Sequence, residues 1–218
     1  MPRESLPLVR EGGFKEAEKL FILAYEGEKT EPYYFNGLRG SDLFNDSGII
    51  EIISLVRSHR SGTDPFSVKS LLKDAKSTFR FKSTDEFWLV VDRDHWETKH
   101  KHSFDQIISE CEIEGNFFMA LSNPCFEIWI ILHFVDPSSW TNEQMAMIYE
   151  NQKSGGKNYL SKYISTVLGK GYSKTPPILD MLPFTQLAID RAKMIDKFDK
   201  YPKEVGTHIY KLVEKLIK

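Results

Sequence analysis

Over about residues 18 to 135, short apolar runs alternate with stretches of helical periodicity, and this alternation constrains the fold more than any other feature. Each run is short and bounded by polar or glycine residues, which is typical of a buried strand. Strands that alternate with helices pair in parallel through right-handed crossovers. We therefore expect an α/β fold, a parallel sheet of about four strands flanked by helices. The predicted strands are Leu20–Tyr25, Ile49–Ile53, Glu86–Val91 and Asn116–Leu121.

Signals for helix starts follow the predicted strands. Thr30 is expected to cap a helix that carries Glu31 and Pro32 in its first turn, where an acid suits the helix dipole. Asp64 followed by Pro65 predicts the start of the next helix. Two more helices are predicted, one opened by a capping box of Ser103 and Gln106 and one over Cys125–Phe134.

The remainder of the chain is predicted to be helical. We accordingly divide the chain into an N-terminal extension (1–17), a core (18–140) and a helical, basic C-terminal region (141–218). The sequence leaves open whether that region packs on the core or forms a small second domain. Its predicted helices are Glu143–Glu150, Asn158–Leu168, Phe184–Phe198 and Gly206–Ile217.

Composition excludes several protein classes. The 218 residues are 41% hydrophobic and 28% charged, which is ordinary for a folded globular chain. Cys111 and Cys125 are the only cysteines, too few for a disulfide framework. The first residues lack the apolar segment of a signal peptide, and the longest apolar stretch, Phe126–Val135, is interrupted by charged or polar side chains. We expect a cytoplasmic protein that does not enter membranes.

Charge is distributed unevenly along the chain. Residues 151–218 hold 13 Lys and Arg against 6 Asp and Glu, a net charge of +7, whereas residues 1–150 hold 16 against 25, a net charge of −9. An acidic part joined to a basic part suggests that the basic part binds a polyanionic substrate and that carboxylates in the acidic part act on it. The alternative is that these lysines only form the solvated faces of helices.

Acidic residues follow two of the predicted strands. Glu26 follows the first strand, and Asp92 and Asp94 follow the third. If these strands are neighbours, their carboxyl ends lie ~4.8 Å apart, and the carboxylates face each other across a crevice. A strand-like turn would place Asp94 on the same side as Asp92. Crowded carboxylates suit a hard divalent cation, Mg²⁺ or Mn²⁺. The competing interpretation of Asp-x-Asp is a surface turn.

Two further acids are candidates for the same site. Glu31 follows Glu26 by five residues and would face the same crevice, although an acid also suits a helix N-terminus for structural reasons. Glu127 lies in an apolar helix, where a buried carboxylate without a partner costs several kcal/mol. We therefore favour a place for Glu127 in the metal site.

The histidines and a glycine-rich segment give weaker signals. His133 lies about 240° round the helix from Glu127, so we interpret it as a core histidine. His95, His100 and His102 are interpreted as an exposed loop rather than a transition-metal site. The segment SGGKN at residues 154–158 lacks the spacing of a phosphate loop, so any step driven by a nucleoside triphosphate would need another subunit.

Three blocks of sequence together resemble the RloB-like family. They are YEGEKTE at residues 25–31, VDRD at 91–94, and SNPCFEIW at 122–129 with LHF at 132–134; GTHIYKLV at 206–213 is similar to the family's C-terminal pattern. The family is associated with bacterial restriction and abortive-infection loci, and its core is related to the Toprim fold. The segment before His208 is longer than the family pattern, so the resemblance assigns that histidine no active role.

The resemblance implies a Toprim-like sheet and a metal site in which Glu26, Asp92 and Asp94 hold Mg²⁺ or Mn²⁺. By likeness to OLD nucleases, Glu31 would serve a second metal. The family also implies an ATPase partner and a place in phage defence, which agrees with the lack of a nucleotide motif in this chain.

The residues and the resemblance together favour a metal-dependent nuclease that cleaves DNA or RNA, tRNA included. Glu31 and Glu127 would complete a second cation or act as base, and Lys29 would offset charge in the transition state. The alternative is a non-catalytic sensor or interaction subunit that regulates an ATPase partner. Nucleotidyl or phosphoryl transfer would use the same carboxylates but needs a nucleotide site that the sequence does not reveal. The sequence does not fix the oligomeric state.

Overall fold

The computed structural model describes residues 18–45, 50–55, 64–94 and 104–218. Within these ranges the chain forms a mixed α/β fold around a five-stranded sheet with the strand order β2-β1-β3-β4-β7. The first four strands of the chain are parallel, and β7 is antiparallel to β4 at the edge. The strands are β1 (Lys19–Tyr25), β2 (Ile50–Leu55), β3 (Glu86–Asp92), β4 (Phe117–Asn123), β5 (Lys153–Ser154), β6 (Lys157–Asn158) and β7 (Gly206–Thr207).

Helices connect the parallel strands and make up most of the C-terminal region. The helices are α1 (Thr30–Arg39), α2 (Pro65–Thr78), α3 (Phe104–Glu114), α4 (Glu127–Phe134), α5 (Asn142–Glu150), α6 (Tyr159–Leu168), α7 (Ile178–Met181), α8 (Thr185–Ile195) and α9 (Ile209–Leu216). The predicted α/β class and the parallel sheet are confirmed. None of the helices in the described ranges combines the length and apolar character that a membrane span requires.

Both faces of the sheet are buried, which explains why β1 is an unbroken apolar run rather than an alternating one. Phe21 and Leu23 contact one core, which is shared with α1, α4 and the helices of the C-terminal region. Ile22 and Ala24 point to the opposite core, which contains apolar side chains of α2 and α3. The strands are thus held between two layers of helices.

The C-terminal region packs directly on the core. Ile189 of α8 and Leu212 of α9 belong to the same buried cluster as Trp129 of α4. The Arg191 guanidinium donates a hydrogen bond of 2.8 Å to the carbonyl of Leu132, which is one of the last carbonyls of α4. This packing brings residues of the C-terminal region close to the carboxyl ends of the strands.

Local predictions at the helix starts had different outcomes. Asp64 caps α2 as predicted, because its carboxylate accepts hydrogen bonds from the amides of Phe66 and Ser67 at 3.0 and 3.1 Å. The prediction that Thr30 caps α1 is wrong: Lys29 is the N-cap residue and makes no side-chain cap, while the Thr30 hydroxyl bonds a distant carbonyl. Ser103 of the predicted capping box lies outside the described residues.

The predicted helix at Gly206 begins three residues later than expected. Gly206 and Thr207 instead pair with Asn123 and Ser122 at the edge of the sheet. The two-residue strand is held by a hydrogen bond of 2.8 Å between the hydroxyls of Ser122 and Thr207. Pairing with an open sheet edge is a long-range effect that helical periodicity does not register.

Candidate functional site

The candidate site lies where the connections from two neighbouring strands leave the sheet in opposite directions. In the sheet, β2 lies on one side of β1 and β3 lies on the other. The chain runs from β1 to β2 and then back across to β3, so a switch point lies between β1 and β3. Crevices form at such points in open parallel sheets. Glu26 follows β1, and Asp92 is the last residue of β3. The amide of Asp92 donates a hydrogen bond of 2.9 Å to Oε2 of Glu26, which fixes the two strand ends together.

Glu31 reaches the same place from the first turn of α1. It is buried, and its Oε1 accepts a hydrogen bond of 3.1 Å from the amide of Gly27. A Cβ atom at position 27 would collide with the Glu31 carboxylate. Gly27 is therefore required for this close approach, which turns Glu31 back toward the end of β1.

Glu127 enters the site from the N-terminus of α4. It is the first residue of this helix and is 7% exposed, whereas the six residues that follow it are essentially completely buried. A carboxylate in the first turn is stabilised by the helix dipole, and this position is the polar end of an otherwise apolar helix. The four carboxylates of Glu26, Glu31, Asp92 and Glu127 line one cleft.

The cleft has a volume of about 400 Å³ and is lined by side chains of both signs. Lys29 and Glu28, both exposed, lie at the turn between β1 and α1. Lys174 reaches the cleft from the C-terminal region. Neither Glu28 nor Lys174 was predicted as a site residue. For Lys174 the sequence offers only its place in the basic region, because its approach to the cleft depends on tertiary packing.

Asp94 lies beside the cleft rather than in its lining. The prediction of a strand-like turn at Asp94 is wrong. Its backbone has a φ of 40°, which lies in the left-handed region and not in the extended region. Its amide donates a hydrogen bond of 2.7 Å to the carbonyl of Pro124. The charge of Asp94 still reaches the site, since it is among the groups that raise the pKa of Asp92.

The accumulated negative charge perturbs the titration of the buried acids. Burial raises the pKa of Asp92 well above its usual range, and the charges of Glu31, Glu26, Asp94 and Glu127 raise it further. Burial likewise raises the pKa of Glu31; the charge of Glu127 acts in the same direction, and Lys174 opposes it. Burial and the neighbouring acids thus act together to disfavour the charged forms of Asp92 and Glu31.

The donor set fits a hard divalent cation in its chemistry. Carboxylate oxygens suit Mg²⁺ or Mn²⁺, and a bound cation would relieve the repulsion that raises the pKa of Asp92. Within the described residues, however, no three Asp, Glu, His or Cys side chains surround a common point as a ready-made metal site. Glu26 and Glu31 each direct one oxygen at a backbone amide.

His133 and His208 do not line the cleft. His133 is buried in the core as predicted, with its Nδ1 at 2.8 Å from the carbonyl of Trp129, and burial lowers its pKa to about 4. His208 is buried beside Asp196, with 3.4 Å between its Nε2 and the carboxylate. The predicted loop histidines His95, His100 and His102 lie outside the described residues.

The glycine-rich segment 154–156 forms the turn of a hairpin between β5 and β6. Its lysine, Lys157, does not face a strand end; the ammonium donates a hydrogen bond of 3.2 Å to the carbonyl of Tyr172. This hydrogen bond supports the loop that contains Tyr172. A phosphate loop follows a parallel strand, whereas this segment does not.

Comparison with known proteins gives one match. The family model described as RloB-like protein matches residues 21–216, which include every element of the cleft. No curated protein and no solved structure matches the chain.

Proposed function

The chain belongs to the RloB-like protein family, and we propose that it is a metal-dependent nuclease that cleaves phosphodiester bonds in DNA or RNA. The observation that carries the proposal is the convergence of Glu26, Glu31, Asp92 and Glu127 on one cleft at the carboxyl ends of β1 and β3. Perturbed carboxylates in a cleft are typical of sites that bind cations or transfer protons. The Toprim relationship stays part of this proposal.

In the proposed site, Glu26, Asp92 and Asp94 hold Mg²⁺ or Mn²⁺, and Glu31 and Glu127 complete the shell or serve a second ion. When bound, the ion would polarise a phosphoryl oxygen and lower the pKa of an attacking water. We assign Glu127 the role of proton acceptor, because it lines the cleft from the first turn of α4, whereas Glu26 and Glu31 each accept a hydrogen bond from a backbone amide.

Positive groups at the edge of the cleft would bind the anionic substrate. Lys29 precedes α1 and lines the cleft, where its ammonium would offset charge that develops in the transition state. The C-terminal region, with a net charge of +7 over residues 151–218, would contact further phosphates along a nucleic acid. The chain would therefore bind its substrate in a salt-sensitive manner.

The family setting extends the proposal to phage defence. We place the nuclease under the control of an ATPase partner, because the family is associated with such loci and the glycine-rich segment of this chain is a hairpin turn rather than a phosphate loop. Host RNA, tRNA included, and phage DNA are both suitable substrates for a nuclease of abortive infection.

The proposal is tested by incubating the purified protein with total RNA, plasmid and single-stranded DNA in Mn²⁺ or Mg²⁺, alone and with the ATPase encoded beside it. We expect cleavage of one substrate class that is lost at least ~100-fold in Glu26→Gln and Asp92→Asn. Glu112→Gln is the matched control, because its carboxylate is exposed on α3 and has a partner only at 3.6 Å. Unchanged cleavage in both site variants would contradict the proposal.

One observation favours a second candidate, a non-catalytic subunit that regulates an ATPase partner. Glu26 and Glu31 already bond backbone amides, so both acids have structural roles without a metal. This candidate predicts that the protein cuts none of the three substrates with either ion, yet forms a stoichiometric complex with the neighbouring ATPase.

A further inference from the structure

A lysine from the C-terminal region forms part of the wall of the acidic cleft. Lys174 lies just before α7 and lines the cleft together with Lys29 of the β1–α1 turn. We infer that Lys174 binds a phosphate group of the nucleic-acid substrate and so makes the C-terminal region part of the active site. This inference rests on the proposed nuclease function.

The backbone around Lys174 is held in place by contacts to both parts of the chain. The Thr30 hydroxyl, in the first turn of α1, donates a hydrogen bond of 3.2 Å to the carbonyl of Lys174. Two residues earlier, the amide of Tyr172 bonds the Ser165 hydroxyl at 3.0 Å, and its carbonyl accepts the Lys157 ammonium at 3.2 Å. The segment is thus anchored at the lysine itself and two residues before it.

The side chain of Lys174 is exposed, unlike the backbone that carries it. Its ammonium makes no hydrogen bond or ion pair with any residue in the part of the chain that the structure describes. Its charge nevertheless reaches the acids, since Lys174 acts to lower the pKa of Glu31. An uncommitted ammonium beside a cleft of carboxylates is available for an anionic ligand.

A phosphodiester needs such a cation in order to enter this cleft. Five acidic side chains line it, against the two lysines Lys29 and Lys174; the acids are Glu26, Glu28, Glu31, Asp92 and Glu127. A metal ion would neutralise part of the acid cluster, and the lysines would attract the phosphate groups next to the reacting one.

Tyr172 supplies an independent observation at the same segment. Its side chain is 2% exposed, and its hydroxyl lies close to the Thr30 side chain but has no hydrogen bond of good geometry to any described residue. Burial raises the pKa of this phenol, the charges of Glu127 and Glu31 raise it further, and the Thr30 side chain opposes the shift. A buried polar group without a partner is costly and is commonly satisfied by a ligand or an ordered water.

The test uses Lys174→Asn, because the backbone of Lys174 has a φ of 60° and asparagine tolerates the left-handed region. Lys174→Arg keeps the charge. Lys170→Ala is the control, because Lys170 is also exposed in this segment and pairs with Asp180 at 2.8 Å, away from the cleft. The probe is a fluorescent single-stranded oligonucleotide, with binding measured in Ca²⁺ from 50 to 200 mM salt and cleavage in Mn²⁺.

We expect Lys174→Asn to reduce the slope of log affinity against log salt concentration by ~0.7, the value for one phosphate contact on a single strand. Cleavage at low substrate concentration should fall roughly 10- to 100-fold, as for a lost hydrogen bond to a charged group. Lys174→Arg and Lys170→Ala should keep the slope of the unaltered protein. The gain in thermal stability with Mn²⁺ should persist in Lys174→Asn.

The outcomes separate the two claims. A salt slope and cleavage rate unchanged in Lys174→Asn would overturn the role of Lys174 while leaving the nuclease intact. Loss of the Mn²⁺-dependent stabilisation in Lys174→Asn would also overturn it, because the lysine would then support the metal site instead of the phosphate. An unaltered protein that gains no stability from Mn²⁺ and binds no oligonucleotide would overturn both.

Discussion

The backbone amide of Asp92 donates a hydrogen bond of 2.9 Å to the side-chain carboxylate of Glu26, and this contact adds to the strand pairing that joins the carboxyl ends of β1 and β3. The two residues are separated by 66 positions in the chain. Because the bond uses only one oxygen of Glu26 and the amide of Asp92, it brings the two carboxylates close together without neutralising either of them. Burial of these acids and the repulsion between them are the physical basis for the first two predictions below.

The first prediction concerns stabilisation by a divalent cation. Mn²⁺ at 100 times its dissociation constant should stabilise the folded protein by ~2.7 kcal/mol, which raises the midpoint of thermal unfolding by roughly 5–10 °C for a chain of this length. Asp92→Asn should abolish this gain, and Glu112→Gln should retain it. An equal gain in Asp92→Asn would show that Mn²⁺ binds elsewhere.

The second prediction concerns pH in the absence of metal. The pKa of Asp92 and the pKa of Glu31 are both raised in the folded state, so the folded protein binds more protons than the unfolded chain above the ordinary carboxyl range. Their contribution to the free energy of unfolding is present at low pH and is lost as pH rises through the raised values.

Urea unfolding in EDTA at several pH values checks this sign. Relative to the unaltered protein, Asp92→Asn should gain stability as pH increases toward neutrality, because it removes a charge that the folded site accommodates poorly. A difference between the two proteins that stays constant with pH would contradict the raised pKa of Asp92.

The third prediction concerns His133 and has the opposite sign. Burial lowers the pKa of His133 to about 4, so the unfolded chain takes up a proton first as pH falls below ~6.5. Because of His133, the free energy of unfolding should therefore fall by about 3 kcal/mol as the pH is lowered from 6.5 to 4. His133→Asn, which retains a donor for the Trp129 carbonyl, should show a shallower loss over the same range, measured by urea unfolding.

The fourth prediction concerns Gly27. Gly27→Ala should displace the Glu31 carboxylate, because a Cβ atom at this position would collide with it. We expect reduced stabilisation by Mn²⁺ and reduced cleavage. Gly171→Ala is the matched control, since a Cβ atom there meets no atom within 4 Å. If both variants behave alike, the close approach of Glu31 to the turn has no functional importance.

The positions of the parallel strands could be predicted from the sequence. Buried parallel strands are unbroken apolar runs, and the boundaries of β1 and β3 differ by only one residue from those expected. The strand order could not be predicted, because apolar periodicity does not specify which strands are neighbours. The carboxylates of Glu26 and Asp92 could be proposed as partners only on the condition that their strands are neighbours.

Features that depend on tertiary contacts were not accessible from the sequence. The conformation of Asp94, the edge strand at Gly206 and the approach of Lys174 each result from contacts between distant segments. The hydroxyl of Thr30 illustrates the limit: the local pattern favours a helix cap, but a carbonyl 144 residues away accepts its hydrogen bond instead.

The most direct test of the central claim is an anomalous difference map from crystals of the protein grown or soaked with Mn²⁺. We expect a manganese peak within coordination distance of carboxylate oxygens of Glu26 and Asp92, and loss of the peak in Asp92→Asn. A well-ordered cleft without manganese at a saturating concentration, or a peak bound only by residues outside the cleft, would contradict that claim.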